Sequence, residues 1–189
     1  MQRRNVILSG VCFATASWLA IQNRILASSQ EAIGNDSYRP LVDVLMQINN
    51  PVTKRVAGLL DYRLSKSNSY NLHLRSASLN TADAGLIAEA LSKIHDNHHF
   101  KLMSFSMSYN PDIGNLGVGK ILNALPDNTT ELGLVGCNLG DNASSHIVAF
   151  IQRSKTLRMV CVEDNHFSSS VKMLIRRSTK HLSGCVTIV

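Results

Sequence analysis

Leu102-Met103-Ser104-Phe105-Ser106-Met107-Ser108-Tyr109-Asn110 decides the fold. Phe105 and Met107 alternate with small polar residues, which puts them on one face of a short strand. Leu102 stands three places before Phe105, and the amide Asn110 stands three places after Met107. Leu157, Val160, Val162 and Asn165 fill the same positions further on. Leu72, Leu74, Ala77 and Leu79 form an earlier copy, and Leu132, Leu134, Cys137 and Leu139 one between. The trailing apolar residue is Ile113, one place late, after Asn110, and Phe167 after Asn165. The leading positions 72, 105, 132 and 160 are separated by 33, 27 and 28 residues.

The second half of each copy agrees independently. Eight and twelve places after the trailing apolar residue stand Ile87 and Leu91, Ile121 and Leu125, and Ile147 and Ile151. The last copy keeps Ile175 but has Thr179. An i, i+4 stripe of this kind lies along one face of a helix. Each unit is thus a strand followed by a helix, about four times in phase.

This pattern resembles the leucine-rich repeat, and its period of 27–28 residues resembles the ribonuclease-inhibitor-like subclass. The resemblance covers about residues 70–189. It implies an α/β fold: a short right-handed solenoid with parallel strands on the concave face and helices on the convex face. It also implies that Asn110, Cys137 and Asn165 bond backbone groups of neighbouring coils. Ala77 cannot do so, which leaves the first coil to be held by whatever precedes it. Ligands in this family meet the concave face. Here that face would carry His73, Arg75, Ser104, Ser106, Ser108 and Tyr109, then Glu131, Gly133 and Val135, then Met159, Cys161, Glu163 and Asp164. His73, Arg75, Ser106, Tyr109, Glu131 and Glu163 are the partner-binding candidates. Arg75 and Tyr109 lead them, because binding energy concentrates in Arg and aromatic side chains. The implied function is non-catalytic protein–protein interaction without a cofactor. A regulatory or inhibitory subunit of a partner enzyme would share the same fold.

Working outward, residues 38–69 suit a helical cap. Leu41, Val44, Leu45 and Ile48 share a helical face. Asn50-Pro51 restarts the chain as N-cap and first helical residue. Val52, Val56, Leu59 and Leu60 continue with helical spacing until Ser65–Ser69 breaks it. A terminal unit of a stacked array needs such a cover for its apolar edge. Residues 28–37 read as a polar linker.

Residues 1–27 read as an address. Gln2-Arg3-Arg4 precedes a nearly apolar run from Val6 to Ala20, and Ala27-Ser28-Ser29 follows. This is the layout of a signal peptide, with cleavage after Ala27. Arg3-Arg4-Asn5-Val6-Ile7-Leu8 partly matches a twin-arginine signal. The apolar stretch also approaches the length of a membrane anchor, and its arginines without acids are compatible with an organellar presequence. The expected location is exported: periplasmic, secreted or tethered by this segment, with membrane contact only through it if it is retained.

Composition sets the outer bounds. With 44% hydrophobic and 17% charged residues, the 189-residue chain can bury a core. The net charge is +6, and without residues 1–27 there remain 16 Lys and Arg against 13 Asp and Glu. A surplus that small does not call for nucleic acid. The late bases Arg153, Lys155, Arg158, Lys172, Arg176, Arg177 and Lys180 read as a solvated face. Cys12, Cys137, Cys161 and Cys185 have no metal-ligand spacing and read as reduced thiols.

Two stretches point toward small-ligand chemistry. Gly114-Asn115-Leu116-Gly117-Val118-Gly119-Lys120 matches the spacing of a phosphate-binding loop, which makes a nucleotide-binding enzyme the rival reading. Ile121 stands where that motif needs Ser or Thr. His95, Asp96, His98 and His99 cluster with metal-binding residue types, at a place where a turn after a helix is expected.

Overall fold

The computed structural model describes residues 37–95 and 100–189. It is α/β, with a single sheet of five parallel strands and six α-helices among the described residues. Helices α1 (Arg39–Ile48) and α2 (Pro51–Leu64) precede strand β1 (Ser69–His73). Strands and helices then alternate: α3 (Thr81–His95), β2 (Lys101–Ser106), α4 (Gly114–Ala124), β3 (Glu131–Gly133), α5 (Ser144–Arg153), β4 (Met159–Cys161), α6 (Ser169–Ser178) and β5 (Val186–Ile188). The strands lie in chain order across the sheet. Parallel neighbours need a crossover between them, and α3, α4, α5 and α6 each supply one.

The strand register follows the apolar alternation of the sequence. Leu72 pairs with Phe105, Phe105 with Leu132, Leu132 with Val160, and Val160 with Thr187. That row is buried up to Val160, as are Leu74, Met107, Leu134 and Val162 two residues on. The helical stripes meet them from the other side. Ile87, Leu91, Ile121, Leu125, Ile147, Ile151 and Ile175 are all buried in the same core. Met103 is the extra residue of a bulge in β2, where Tyr70 pairs with Leu102 but Asn71 pairs with Ser104.

β5 extends the sheet beyond the four strands expected from apolar spacing. Its core-row residue is the polar Thr187, which hides it from a hydrophobic pattern. Thr187 Oγ1 lies 2.9 Å from Thr179 Oγ1. The two hydroxyls, one on the sheet and one just after α6, satisfy each other where two apolar residues would otherwise meet.

The first four strands end in the same bend. Ser76, Tyr109, Gly136 and Asp164 each stand four places after a core-row residue, and all four are left-handed (φ 53, 61, 60 and 57). Next to three of these bends a side chain takes over the backbone bonding. Asn110 Nδ2 donates to the carbonyls of Leu74 (2.8 Å) and Met107 (2.7 Å), and its Oδ1 accepts from the Leu79 N–H (3.0 Å). Asn165 repeats this two strands along, donating to Leu134 and Val162 (both 2.8 Å) and accepting from Cys137 and Leu139 N–H (both 3.0 Å). Between them the Cys137 thiol donates to the carbonyls of Met107 (3.3 Å) and Val135 (3.5 Å). Ala77 has no such group, and its carbonyl instead accepts from Asn50 Nδ2 at 2.6 Å. Asn50 is also the N-cap of α2, accepting from the N–H groups of Val52 and Thr53. One amide therefore starts the helix and ties it to the first bend.

The structure covers the segment read as a cap and starts β1 at its last residue, Ser69. Residues 1–27, read as signal or anchor, and 28–37, read as linker, lie outside the described residues, apart from Ser37. Among the described residues no helix is long and apolar enough to cross a membrane.

Candidate functional site

The sheet face opposite the buried row carries two rows of side chains. One runs through Asn71, Ser104, Glu131, Met159 and Val186, the other through His73, Ser106, Gly133, Cys161 and Ile188. His73, Ser106, Glu131 and Cys161 therefore occupy one surface, as their alternation with core residues requires. Arg75, Tyr109 and Glu163 lie on the segments that leave the strands. These segments continue the ladder: the N–H groups of Leu74, Met107, Leu134 and Val162 donate to the next segment's Ser106, Gly133, Cys161 and Ile188.

At the start of the face polar groups interlock. His73 Nε2 lies 2.8 Å from Ser104 Oγ. Ser106 Oγ donates to Ser108 Oγ (3.1 Å), which accepts the Val135 N–H (3.1 Å). Gly133 makes this possible, because a Cβ there would stand 2.9 Å from Ser106 Oγ. Ser104, Ser108 and Val135 are consequently buried, so these three expected face residues offer little surface of their own.

Arg75 and Tyr109 meet. The guanidinium carbon sits 4.0 Å from the centroid of the Tyr109 ring, a cation–π geometry. The ring's other neighbour is Gly136, where an added Cβ would lie 3.0 Å from Tyr109 Cδ1. Tyr109 remains 39% exposed and has the left-handed backbone that favours glycine. Ser, Gly and Asp suit the equivalent bends, whereas a bulky aromatic there costs about 1–2 kcal/mol.

The far end is acidic. Burial and the nearby carboxylates of Glu163 and Glu131 push the Cys161 thiol above its ordinary range. Glu163 Oε2 is shielded from solvent without a hydrogen-bond partner among the described residues. Asp164 is exposed at the bend beside it.

The remaining candidates fall elsewhere. Asn110 and Cys137 are buried and Asn165 half-buried, all bonded to backbone as above. Gly114–Lys120 lies within α4, where helical bonding leaves no open loop around a phosphate. Its glycines serve close packing. A Cβ at Gly117 would meet Ile113 Cγ2 at 2.8 Å and Ala84 Cβ at 3.2 Å, and one at Gly119 would meet His146 at 2.8 Å. The Lys120 side chain runs over Gly85 of α3. His95 Nε2 lies 3.2 Å from the Tyr70 hydroxyl and its Nδ1 3.2 Å from the Ala124 carbonyl. Asp96, His98 and His99 are outside the described residues. No cluster of metal-ligating side chains occurs among the described residues. Cys137, Cys161 and Cys185 are free thiols.

Of the late basic residues, Arg153 is structural. Its Nη2 donates to the Leu122 and Leu125 carbonyls (both 2.6 Å) at the end of α4, and its Nε to Asp127 (2.7 Å). A cation at a helix C-terminus opposes the helix dipole favourably. Nothing in the one-dimensional pattern marks that role.

No family model matches the chain, and no curated protein matches it.

Proposed function

We propose that this chain is a short leucine-rich repeat solenoid of the ribonuclease-inhibitor-like type, whose exposed sheet face binds another protein without catalysis. The observation that carries the reading is Tyr109. A large aromatic is kept in a backbone conformation that suits glycine, stacked under Arg75 and still 39% exposed. Strained positions that persist on a surface mark functional sites, and Tyr with Arg is the pair that dominates protein interfaces. The unpartnered Glu163 oxygen at the other end supports a partner that brings a donor. The partner's own surface would be acidic opposite His73 and Arg75 and basic opposite Glu131, Glu163 and Asp164. The helical packing of Gly117 and Gly119 speaks against a nucleotide site. The segment 1–27 fits an exported protein, periplasmic, secreted or tethered.

The test is comparative capture. The tagged full chain and its Arg75→Ala/Tyr109→Ala variant are each exposed to envelope and secreted fractions of the native source. A stoichiometric protein recovered with the wild type and lost with the variant is the expected result. The same proteins recovered with both would remove the face from the interaction.

A further inference from the structure

A second surface lies at the outer edge of β1. There a groove of about 680 Å³ separates the strand from α2. β1 pairs only with β2, so its other edge has no partner strand. The Leu74 N–H bonds toward β2, and backbone groups alternate sides along a strand. The N–H and C=O groups of Asn71 and His73 therefore point away from the sheet, and both residues line the groove. Natural proteins blunt such edges or use them to bind an added strand.

The opposite wall is cationic. Arg55 and Arg63 of α2, with Lys66 just beyond it, line the groove, and its lining contains no carboxylate. None of the salt bridges between described residues involves these three. Lys66 Nζ rests on Tyr62, 3.0 Å from its hydroxyl and 4.2 Å from its ring centroid. Leu59 and Tyr62 are 63% and 65% exposed on the same wall. Both stand on the wall that carries the cations, where an occupant of the groove would cover them.

We propose that this groove binds an extended acidic segment of a partner protein, which adds to the sheet as a strand beside β1. Its backbone pairs with Asn71 and His73. Its carboxylates face Arg55, Arg63 and Lys66, and its apolar side chains cover Leu59 and Tyr62. This surface is independent of the stacked Arg75–Tyr109 pair, and either can fail without the other.

The test uses the full chain and a fluorescein-labelled heptapeptide of alternating Glu and Val, read by anisotropy at low and moderate salt. Saturable binding is expected, weakened about tenfold or more by Arg55→Glu/Arg63→Glu, a loss of about 1.4 kcal/mol. N-methylation of every peptide bond, which removes the pairing donors, is expected to weaken it as much. Tyr109→Ala is expected to leave it unchanged, whatever that variant does to partner capture. Circular dichroism checks that the double variant folds. Should it not fold, the peptide with Lys in place of Glu makes the same charge test on the wild type and is expected not to bind. Absence of saturable binding overturns the proposal, as does indifference to charge reversal or to N-methylation. Binding of a 12-nucleotide single-stranded DNA or of phosphatidylserine vesicles at least as tight as the peptide, with the same loss in the arginine variant, overturns it in favour of a general polyanion surface.

Discussion

At the scale of single residues, two side chains test stability apart from the proposed recognition. Asn110 satisfies buried backbone groups on two successive segments. Asn110→Ala leaves them without partners, at about 1–3 kcal/mol for each orphaned group. Urea unfolding should show a larger loss for Asn110→Ala than for Asn165→Ala, because Asn165 is only half-buried and water can replace part of its bonding. Tyr109 should behave oppositely. Tyr109→Gly relieves the left-handed backbone but gives up the stack on Arg75, so the urea midpoint should change little. Partner capture should nevertheless fall. A large loss of stability instead would make Tyr109 a structural residue. Cys161 offers a pH test. Its thiol is held up by burial first and by Glu163 and Glu131 second. Its alkylation by iodoacetamide should therefore accelerate only above the ordinary thiol range, and Glu163→Gln should move that rise to lower pH. For stability the sign is the same: a raised folded value favours the folded state below the ordinary thiol value of 9.0. That contribution is lost as pH climbs through the folded value. The roles of Asn110 and Asn165 were legible from their place after the strand. The stack of Arg75 on Tyr109 was not, because the two are 34 residues apart in sequence and meet only through register.

At the scale of elements, alternation and the i, i+4 stripe marked β1 to β4 and α3 to α6, and each apolar core position they name is buried. β5 escaped because Thr187 and Thr179 satisfy each other as a polar pair inside an apolar scheme. The Gly114–Lys120 spacing has a packing account of its own, since Gly117 and Gly119 let α4 approach Ile113, Ala84 and His146 closely. Gly117→Val should destabilise by about 1–3 kcal/mol through overpacking against Ile113 and Ala84. Lys120→Ala should leave folding and partner capture intact. If it abolished a nucleotide-dependent activity, the rival enzyme reading would replace the binding one.

At the scale of the whole sheet, stability comes from each strand and helix burying its apolar side against its neighbours. Leu134, fully buried in the middle of that core, is the place to interrupt it. Leu134→Asp introduces an unpaired charge and should abolish cooperative unfolding by circular dichroism; a folded, cooperative variant would contradict the register. The groove beside β1 lies beyond what sequence shows, because nothing in residues 55–73 states how far helix and strand stand apart. The Thr179–Thr187 pair bears on motion. Hydroxyls hold β5 where methyl groups hold the other strands, and little apolar surface is exposed when they part. Amide hydrogen exchange should accordingly run as a gradient across the sheet, fastest at Val162 and Val186, whose N–H groups bond across β4 and β5, and slowest around Met107. The molecule should open from one end, like a stack losing its last plate, long before its centre yields.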